Sequence, residues 1–486
     1  MGRIRKIGSA HCNYSQILYQ FLTFTQNLKR SLGIIGLFVA IALLVVLAFK
    51  GHSVIIAAPI AALIAVLFSY GLKGHFMASY TITYMSGFAN YAKNYFPIYL
   101  FGAVFAKLMD ISGNAQSIAQ FCTLKLGKSR AVLSVVLTCA ILTYGGVSLF
   151  VVAFVMLPVA IAVFRAADIP KRLIPGAIAL GAFTFTMTAL PGSPQVQNTI
   201  PMTYFGTDSW AAPVLGIIAT VIMFGGGMAW LSYRTNKAKK AGEGYGNYQD
   251  EIVSDNKEVP GIGLAFAPIL IILVVNLVLS KMVYPNVDGS YLEESFNSTL
   301  AANSGTWSVL LGMLVAILFI AAVNFSKLKD GLKDNLKKAA NESLAPLINS
   351  CAVVGFGSVT KSLAIFGIIQ AFALGISSNA LLSEVLSINI LCGMTASASG
   401  GLGAALEALA DTYLASGIAP QVLHRVAAVA AGGLDSLPYN GATITVLALV
   451  GMTHKESYLD MFVVSVVIPL IAAFALAALA SMGICF

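Results

Sequence analysis

Between Ile34 and Phe49, and again between Val54 and Phe68, the chain carries no charged side chain. Such runs cannot be laid on a water-exposed surface. They approach the length of about 20 apolar residues that crosses hydrocarbon as a helix. In lipid, every backbone polar group must be satisfied within its own segment or in a closed barrel. A barrel would show alternating segments of about 10 residues. These runs do not alternate, so they read as helices. The rest of the chain agrees: only 10% of its 486 residues are charged, against roughly 25% in soluble domains. The expected fold class is an all-α polytopic membrane protein whose main solvent is lipid.

The formal charge of +9 would point to nucleic acid in a soluble protein. Here the basic residues flank apolar segments, so they read as topology signals, with the bilayer and no nucleic acid as partner. Six cysteines (Cys12, Cys122, Cys139, Cys351, Cys392, Cys485) form no CxxC pair and read as packing residues. No metal or cofactor is expected. Residues 1–30 form a polar N-terminal arm. No small-residue cleavage site follows Phe49, so the first apolar run reads as a retained span.

Candidate spans are 31–49, 53–71, 95–112, 209–232, 262–283, 306–325, 345–372 and 458–482. Three stretches are apolar but interrupted: 130–164 by Thr143-Tyr144-Gly145-Gly146, 172–205 by Leu190-Pro191-Gly192-Ser193-Pro194, and 385–450 by Thr395 to Gly401 and then Leu437 to Gly441. A polar insert at 234–260 divides the chain. The expected organisation is a first transmembrane repeat at 31–233, a cytoplasmic linker at 234–260 and a second repeat at 261–486. Three motif pairs support the repeat. Phe101-Gly102-Ala103-Val104 followed by Lys107 resembles Phe356-Gly357-Ser358-Val359 followed by Lys361. The two Gly-rich interruptions correspond, and so do the two Leu-Pro breaks. All are offset by about 250 residues in the same order, the pattern of repeat-built transporters.

If 130–164 and 385–410 are re-entrant hairpins, and 172–205 and 421–450 are spans broken in the middle, the loop charges separate. The loops at 113–130, 165–172, 234–260, 325–341 and 451–457 carry Lys and Arg and share one face. The loops at 206–209, 284–305 and 373–384, with Asp208, Asp288, Glu293, Glu294 and Glu384 and no Lys or Arg, share the other. Positive loops stay cytoplasmic. Each half then crosses an odd number of times, giving an inverted repeat. The N-terminus, with Lys29 and Arg30, lies outside.

The candidate substrate-binding residues sit at these interruptions. The first hairpin tip offers Thr143, Tyr144, Gly145, Gly146 and Ser148; the second offers Thr395, Ser397, Ser399 and Gly400. Hydroxyls, exposed amides and half-helix N-termini together suit an anion; the competing reading is close packing of small residues. Gly192 and Ser193 in the first break, and Asn440 and Gly441 in the second, line a cavity or form surface loops. Asp435, an acid inside an apolar stretch, is the candidate ion-coupling residue or a helix cap. Glu407 is expected near the surface beside Asp411. Lys107 and Lys361 are expected to snorkel or pair within the scaffold. His424 and Arg425 flank the last broken span, where a surface role competes with attraction of an anionic substrate. No HExxH, no P-loop and no GxGD-type aspartyl protease pair occurs, so neither an enzyme nor ATP coupling is expected.

Gly102-Ala103-Val104-Phe105-Ala106-Lys107 through Gly113-Asn114-Ala115-Gln116-Ser117-Ile118-Ala119, then Val155-Met156-Leu157-Pro158, Ala167-Asp168-Ile169-Pro170 and the break at 190–194, resemble the gluconate permease family of the ion-transporter superfamily. The resemblance runs loosely over 31–486. It implies proton-coupled uptake of gluconate or related acids across a bacterial cytoplasmic membrane, and a homodimer. The chain departs from the family pattern. It lacks the family's histidine in the first break, its N-D-P-G-like element in the second, and its acidic residue at the first tip. Leu434-Asp435-Ser436-Leu437-Pro438-Tyr439-Asn440-Gly441 resembles a branch associated with short hydroxy acids such as 3-hydroxybutyrate. The leading expectation is therefore a symporter for a small organic carboxylate, driven by protons or sodium. A sodium/proton antiporter leaning on Asp435, and a membrane scaffold or receptor, are the alternatives.

Overall fold

The computed structural model describes residues 31–484 except 45, 48–52, 128–129, 148, 249, 251–258, 330, 364–365, 367–378, 396 and 439. The N-terminal arm therefore lies outside the described residues. Among the described residues there are helices and no strands. The first half runs α1 (Ser31–Leu44), α2 (Val54–Tyr70), α3 (Phe76–Ile111), α4 (Asn114–Leu126), α5 (Ala131–Tyr144), α6 (Leu149–Ala166), α7 (Ile174–Ala182), α8 (Val196–Phe205) and α9 (Pro213–Lys240). The second half runs α10 (Ile262–Asn286), α11 (Leu300–Val323), α12 (Leu332–Ser362), α13 (Ala380–Thr395), α14 (Ala398–Leu414), α15 (Pro420–Ala431), α16 (Gly441–Val450) and α17 (His454–Ser481).

Among the described residues, six helices are long and apolar enough to cross a membrane, or seven if α3 and α4, bent by 63° at Gly113, make one broken span. Gly113 turns the chain there with φ +79°, a conformation other residues adopt only under strain. Most of the spanning windows are only 28–50% buried. By contrast, all of α7 and all of α15 from Val422 onward are buried. The apolar outer helices therefore face lipid, and the first halves of the broken helices form the centre of the molecule.

Several boundaries differ from the sequence expectation. The span at 95–112 starts far earlier, because a π-helical turn at Ser79–Tyr84 carries the helix through Tyr-rich sequence. The span at 345–372 starts at Leu332, so Lys333, Lys337 and Lys338 belong to its first turns and not to a loop. Glu384, placed in an outer loop from sequence, is buried in α13. The basic half of the insert at 234–260 is the end of α9.

The hairpin and break order is as expected. α5 and α6 form the first hairpin and α13 and α14 the second; α7/α8 and α15/α16 are the halves of the broken helices. The first arm of each hairpin packs on the first half of its own break: α5 on α7, and α13 on α15. The second arm packs on the other repeat's break: α6 on α16, and α14 on α8. The motif-sharing helices α3 and α12 pack on each other.

Residues 241–248 and Asp250 fold back onto the base of the first hairpin. Arg172 makes a bidentate pair with Glu243 at 2.6 and 2.8 Å. Asp250 takes Arg165 and Lys171. Asp460, fully buried at the start of α17, takes Arg172, Arg234 and the Trp230 indole. The loop at 165–172, the end of α9 and the start of α17 thus share one end of the molecule. Elsewhere Lys281 reaches Asp208 at 2.7 Å, joining the loop at 206–209 to the end of α10. The pairing expected of the two lysines is present: Lys107 lies 3.9 Å from Asp110, and Lys361 lies 3.3 Å from Asp411. Cys122, Cys139, Cys351 and Cys392 are buried and unpaired, as packing residues should be; Cys12 and Cys485 lie outside the described residues.

Candidate functional site

The first hairpin ends because Gly145 and Gly146, the latter at φ +94°, break α5. Its tip is fastened to the first break. Tyr144 Oη donates to the Pro191 carbonyl at 2.7 Å. Gln195 Nε2 donates to the Thr143 carbonyl at 2.6 Å and to that of Val147 at 3.4 Å, which satisfies carbonyls that a helix end leaves open. Thr143 is fully buried and its hydroxyl meets no partner. A Cβ at Gly145 would strike Ile269 of α10. Ser148 lies outside the described residues.

The first break is stitched by its own polar groups. Ser193, fully buried, donates its hydroxyl to the Thr186 carbonyl at 2.8 Å. Gly192 has φ +79°, and the Trp210 ring lies where a Cβ would be, 2.5 Å away. Asn198 Nδ2 donates to the Ser193 and Ser209 carbonyls. The second repeat completes the fastening. Arg425, 0% exposed, donates to the carbonyls of Ala211, Thr188 and Ser209 and to Asn198 Oδ1. His424, also 0% exposed, bonds Thr207 Oγ1 at 2.6 Å and Asn198 Oδ1 at 3.3 Å. The surface role read for His424 and Arg425 from sequence is therefore corrected. The deep first break supplies carbonyls in number, and only buried donors of this length reach them.

The second tip is built differently. Ser397 caps α14, its Oγ accepting the Gly400 amide at 3.1 Å. Its hydroxyl opens a chain of hydroxyls: Ser397 to Ser399 at 3.4 Å, Ser399 to Ser350 of α12 at 3.1 Å, and Ser350 to Tyr99 of α3 at 3.3 Å. Thr395 Oγ1 donates back to the Leu391 carbonyl at 2.8 Å. A Cβ at Gly401 would lie 2.4 Å from Cys392 Cα, so the hairpin arms touch backbone to backbone. Farther along α14, Glu407 turns inward. Tyr204 of α8 donates to it at 3.3 Å and Ser358 of α12 at 3.4 Å. That corrects the surface position expected beside Asp411, whose side chain is 84% exposed.

In the second break the cap of α16 is Asn440, whose Oδ1 accepts the Ala442 and Thr443 amides at 2.7 and 3.0 Å, with Gly441 as the helix's first residue. Asp435 is thus not that cap. It sits half-buried in a 3-10 turn, and Ser436 Oγ donates to it at 3.1 Å. The preceding turn is held by Asn389 of α13, whose Oδ1 accepts the Leu434 amide at 3.2 Å. Tyr439 lies outside the described residues. The two breaks abut where Gly432 approaches Thr188.

Each tip is therefore joined to scaffold or break, and the breaks meet each other. Among the described residues no hydrogen bond joins tip to tip. A cavity of about 330 Å³ opens beside the first break, lined by Thr207, Asp208, Trp210, Lys281, Ser304 and Gln421. Sequence reasoning missed Ser350, Tyr99, Gln195 and Asn198. The i, i+4, i+8 spacing of Tyr91, Tyr95 and Tyr99 places three phenols on one face of an apolar helix, a signal that would have exposed Tyr99. Ser350 carries no comparable signal.

The GntP family permease model matches residues 32–483. The chain is 40% identical over 459 residues to the uncharacterized transporter YxjC of Bacillus subtilis (strain 168), covering 89% of this chain and 96% of that one. It is 32% identical over 186 residues to the high-affinity gluconate transporter of Escherichia coli (strain K12), covering 38% of this chain and 39% of that one. The fold resembles the Alcanivorax borkumensis YdaH transporter, described as having an unusual topology, with a TM-score of 0.55 at 15% identity over 85% of this chain and 90% of that one. Paired hairpins and breaks inside a shell of apolar helices, with this match over nearly the whole chain, make the protein a polytopic membrane transporter that belongs to the GntP permease family.

Proposed function

We propose that the protein is a symporter that moves a small organic carboxylate, gluconate or a short hydroxy acid, across the cytoplasmic membrane. The observation that carries this is the second tip. Ser397, Ser399, Ser350 and Tyr99 set hydroxyls 3.1–3.4 Å apart at the start of a 17-residue helix. Neutral donors beside a helix N-terminus suit a carboxylate and its hydroxyls. The similarity to a high-affinity gluconate transporter of Escherichia coli supports the same substrate class.

Binding comes first. A ligand that binds the folded protein raises its apparent stability, by about 2.7 kcal/mol at a hundredfold excess over Kd. A thermal-shift screen of sugar acids and short hydroxy acids, with and without sodium, should find a stabilising carboxylate, and proteoliposomes should accumulate it. If no carboxylate stabilises the protein or enters, the proposal falls. Asp435 is the coupling group in this reading. Its half-buried carboxyl has one neighbouring hydroxyl donor and does not cap α16. Asp435→Asn should leave exchange of substrate intact and weaken or abolish its uphill accumulation; accumulation at the wild-type level would make Asp435 structural.

A further inference from the structure

One acid in the interior is used by nothing described above. Glu384 lies one helical turn into α13, and it is 0% exposed. Neither carboxyl oxygen has a hydrogen-bond partner, and among the described residues it makes no ion pair. Opposite it, on the returning arm, stands Tyr413, also 0% exposed, whose hydroxyl makes no hydrogen bond of ordinary geometry and lies near Ser383 and Ser387. The nearby hydroxyls of Ser383 and Ser387 complete the surroundings. Ser387 donates its own proton to the Ser383 carbonyl. This group sits at the base of the second hairpin, far from its tip.

Among the described residues no opposite charge lies close enough to neutralise an ionised Glu384. α14 contributes Tyr413. On α15, His424 and Arg425 are turned to the first break. The stretch of α17 from Ile468 to Ser481 holds no charged residue. The turn before Pro438 holds Asp435, which faces Cys392, two turns farther along α13. An ionised carboxylate buried without a partner is not a stable state of a protein interior. A metal cation asks for several oxygen ligands at once, and no group of three or more His, Cys, Asp or Glu occurs among the described residues. What the site fits is a proton.

We propose that Glu384 is a second proton-binding site of the transporter, separate from Asp435, loaded in this conformation and emptied during the cycle. The inference rests on the symport reading given above. Loading forms an O–H bond at one carboxylate oxygen and leaves the other as an acceptor facing Tyr413. Unloading returns the proton to water at the mouth of the hairpin. That route is short. Asn379, which caps α13 through the Leu381 and Leu382 amides, belongs to the exposed rim of the molecule. Glu384 lies five residue steps beyond it, about 7.5 Å at 1.5 Å per residue.

The first test needs no substrate. Purified wild-type protein and Glu384→Gln, which keeps the shape and drops the titration, are compared by infrared spectroscopy across pH in water and in heavy water. The expected result is a protonated-carboxyl band that titrates in wild type and is missing from the variant. Tyr413→Phe keeps the acid, so it should retain the band and change the pH at which it titrates. It also serves as the probe if the glutamine variant does not fold. A carboxyl spectrum identical in wild type and Glu384→Gln, or a band indifferent to Tyr413→Phe, overturns the proposal.

The second test uses proteoliposomes with an imposed gradient of one pH unit, which drives about tenfold accumulation per proton carried. Glu384→Gln should lose about that factor while exchange of preloaded substrate stays within about twofold of wild type. Undiminished accumulation overturns the proposal. If wild type carries no carboxylate at all, the symport reading fails by itself, and the infrared result still decides the protonation of Glu384.

Discussion

Arg425 offers the sharpest test of the architecture. The variant is Arg425→Met, similar in length and apolar. The guanidinium is fully buried and reaches four acceptors, with Ala211 O at 2.8 and 3.0 Å, Asn198 Oδ1 at 2.8 Å, and Thr188 O and Ser209 O at 3.3 Å. Methionine replaces none of these bonds. Two acceptors keep other donors: Ser209 O has the Gly192 and Asn198 amides, and Asn198 Oδ1 has His424. The carbonyls of Ala211 and Thr188 lose their donor. An orphaned buried acceptor costs about 1–3 kcal/mol, and two of them cost about 2–6 kcal/mol. Release of a buried cation returns part of this, leaving a loss of about 2–4 kcal/mol. At about 2.1 cal/mol/K per residue, a chain of 486 residues unfolds with an entropy of about 1 kcal/mol/K, so the melting temperature should fall by about 2–4 °C. Trp210, stacked over Gly192 in the affected region, reports the transition by fluorescence in detergent. Arg425→Lys should fall between the two, because an ammonium lacks the planar fork. Melting of Arg425→Met at the wild-type temperature would refute the stitched first break.

Gly401→Ala should destabilise the second hairpin by about 1–3 kcal/mol, because its Cβ would lie 2.4 Å from Cys392 Cα. Adding Cys392→Ala should not rescue it, since the clash is with backbone; rescue in a melting experiment would contradict the geometry. Ser350→Ala and Ser397→Ala should both raise the substrate concentration needed for half-maximal uptake, by up to about tenfold for one hydrogen bond of 0.5–1.5 kcal/mol, and unchanged uptake in both would make the tip a packing device. The hydrogen bond from Arg172 holds the Glu243 carboxyl below its ordinary range. A depressed carboxyl stabilises above its unfolded pKa and loses that effect as pH falls through the folded one. The fold-back at 241–248 should therefore stay protected from hydrogen exchange at neutral pH and open only below about pH 4, whereas Glu243→Gln should open it at pH 7. In a cysteine-free background, residue 290 should be labelled from outside and residue 245 from inside; the reverse would overturn the charge-based orientation.

Much of this architecture was legible in the sequence. Gly145-Gly146 and Thr395 to Gly401 do end hairpin arms, and Leu190-Pro191 and Leu437-Pro438 do lie in breaks, because glycine and proline act on local backbone wherever they sit. The partners of these segments were not legible. Arg425 looked like a flanking surface charge because its four acceptors lie more than 200 residues away in sequence. Glu384 ends the stretch at 373–384 that reads from sequence as an outer loop, and burial of an acid without a partner has no sequence signature. Glu407 is turned inward by Tyr204 and Ser358, while its neighbour Asp411, one helical turn on, faces out.

The cross-packing of the hairpins has a consequence for how the protein is made. α8 is complete when residue 205 has been synthesised, but the arm it rests on ends at residue 414. About 210 residues separate the two, which at 5–20 residues per second is a wait of roughly 10–40 s. Throughout that interval Tyr204 has no Glu407 to bond, and Asn198 has neither His424 nor Arg425. The nascent first half must hold these polar side chains against lipid, or under the cover of the insertion machinery, until the second half arrives. The seam between the repeats therefore closes late, and a ribosome stalled in the second half leaves a polypeptide with that seam open.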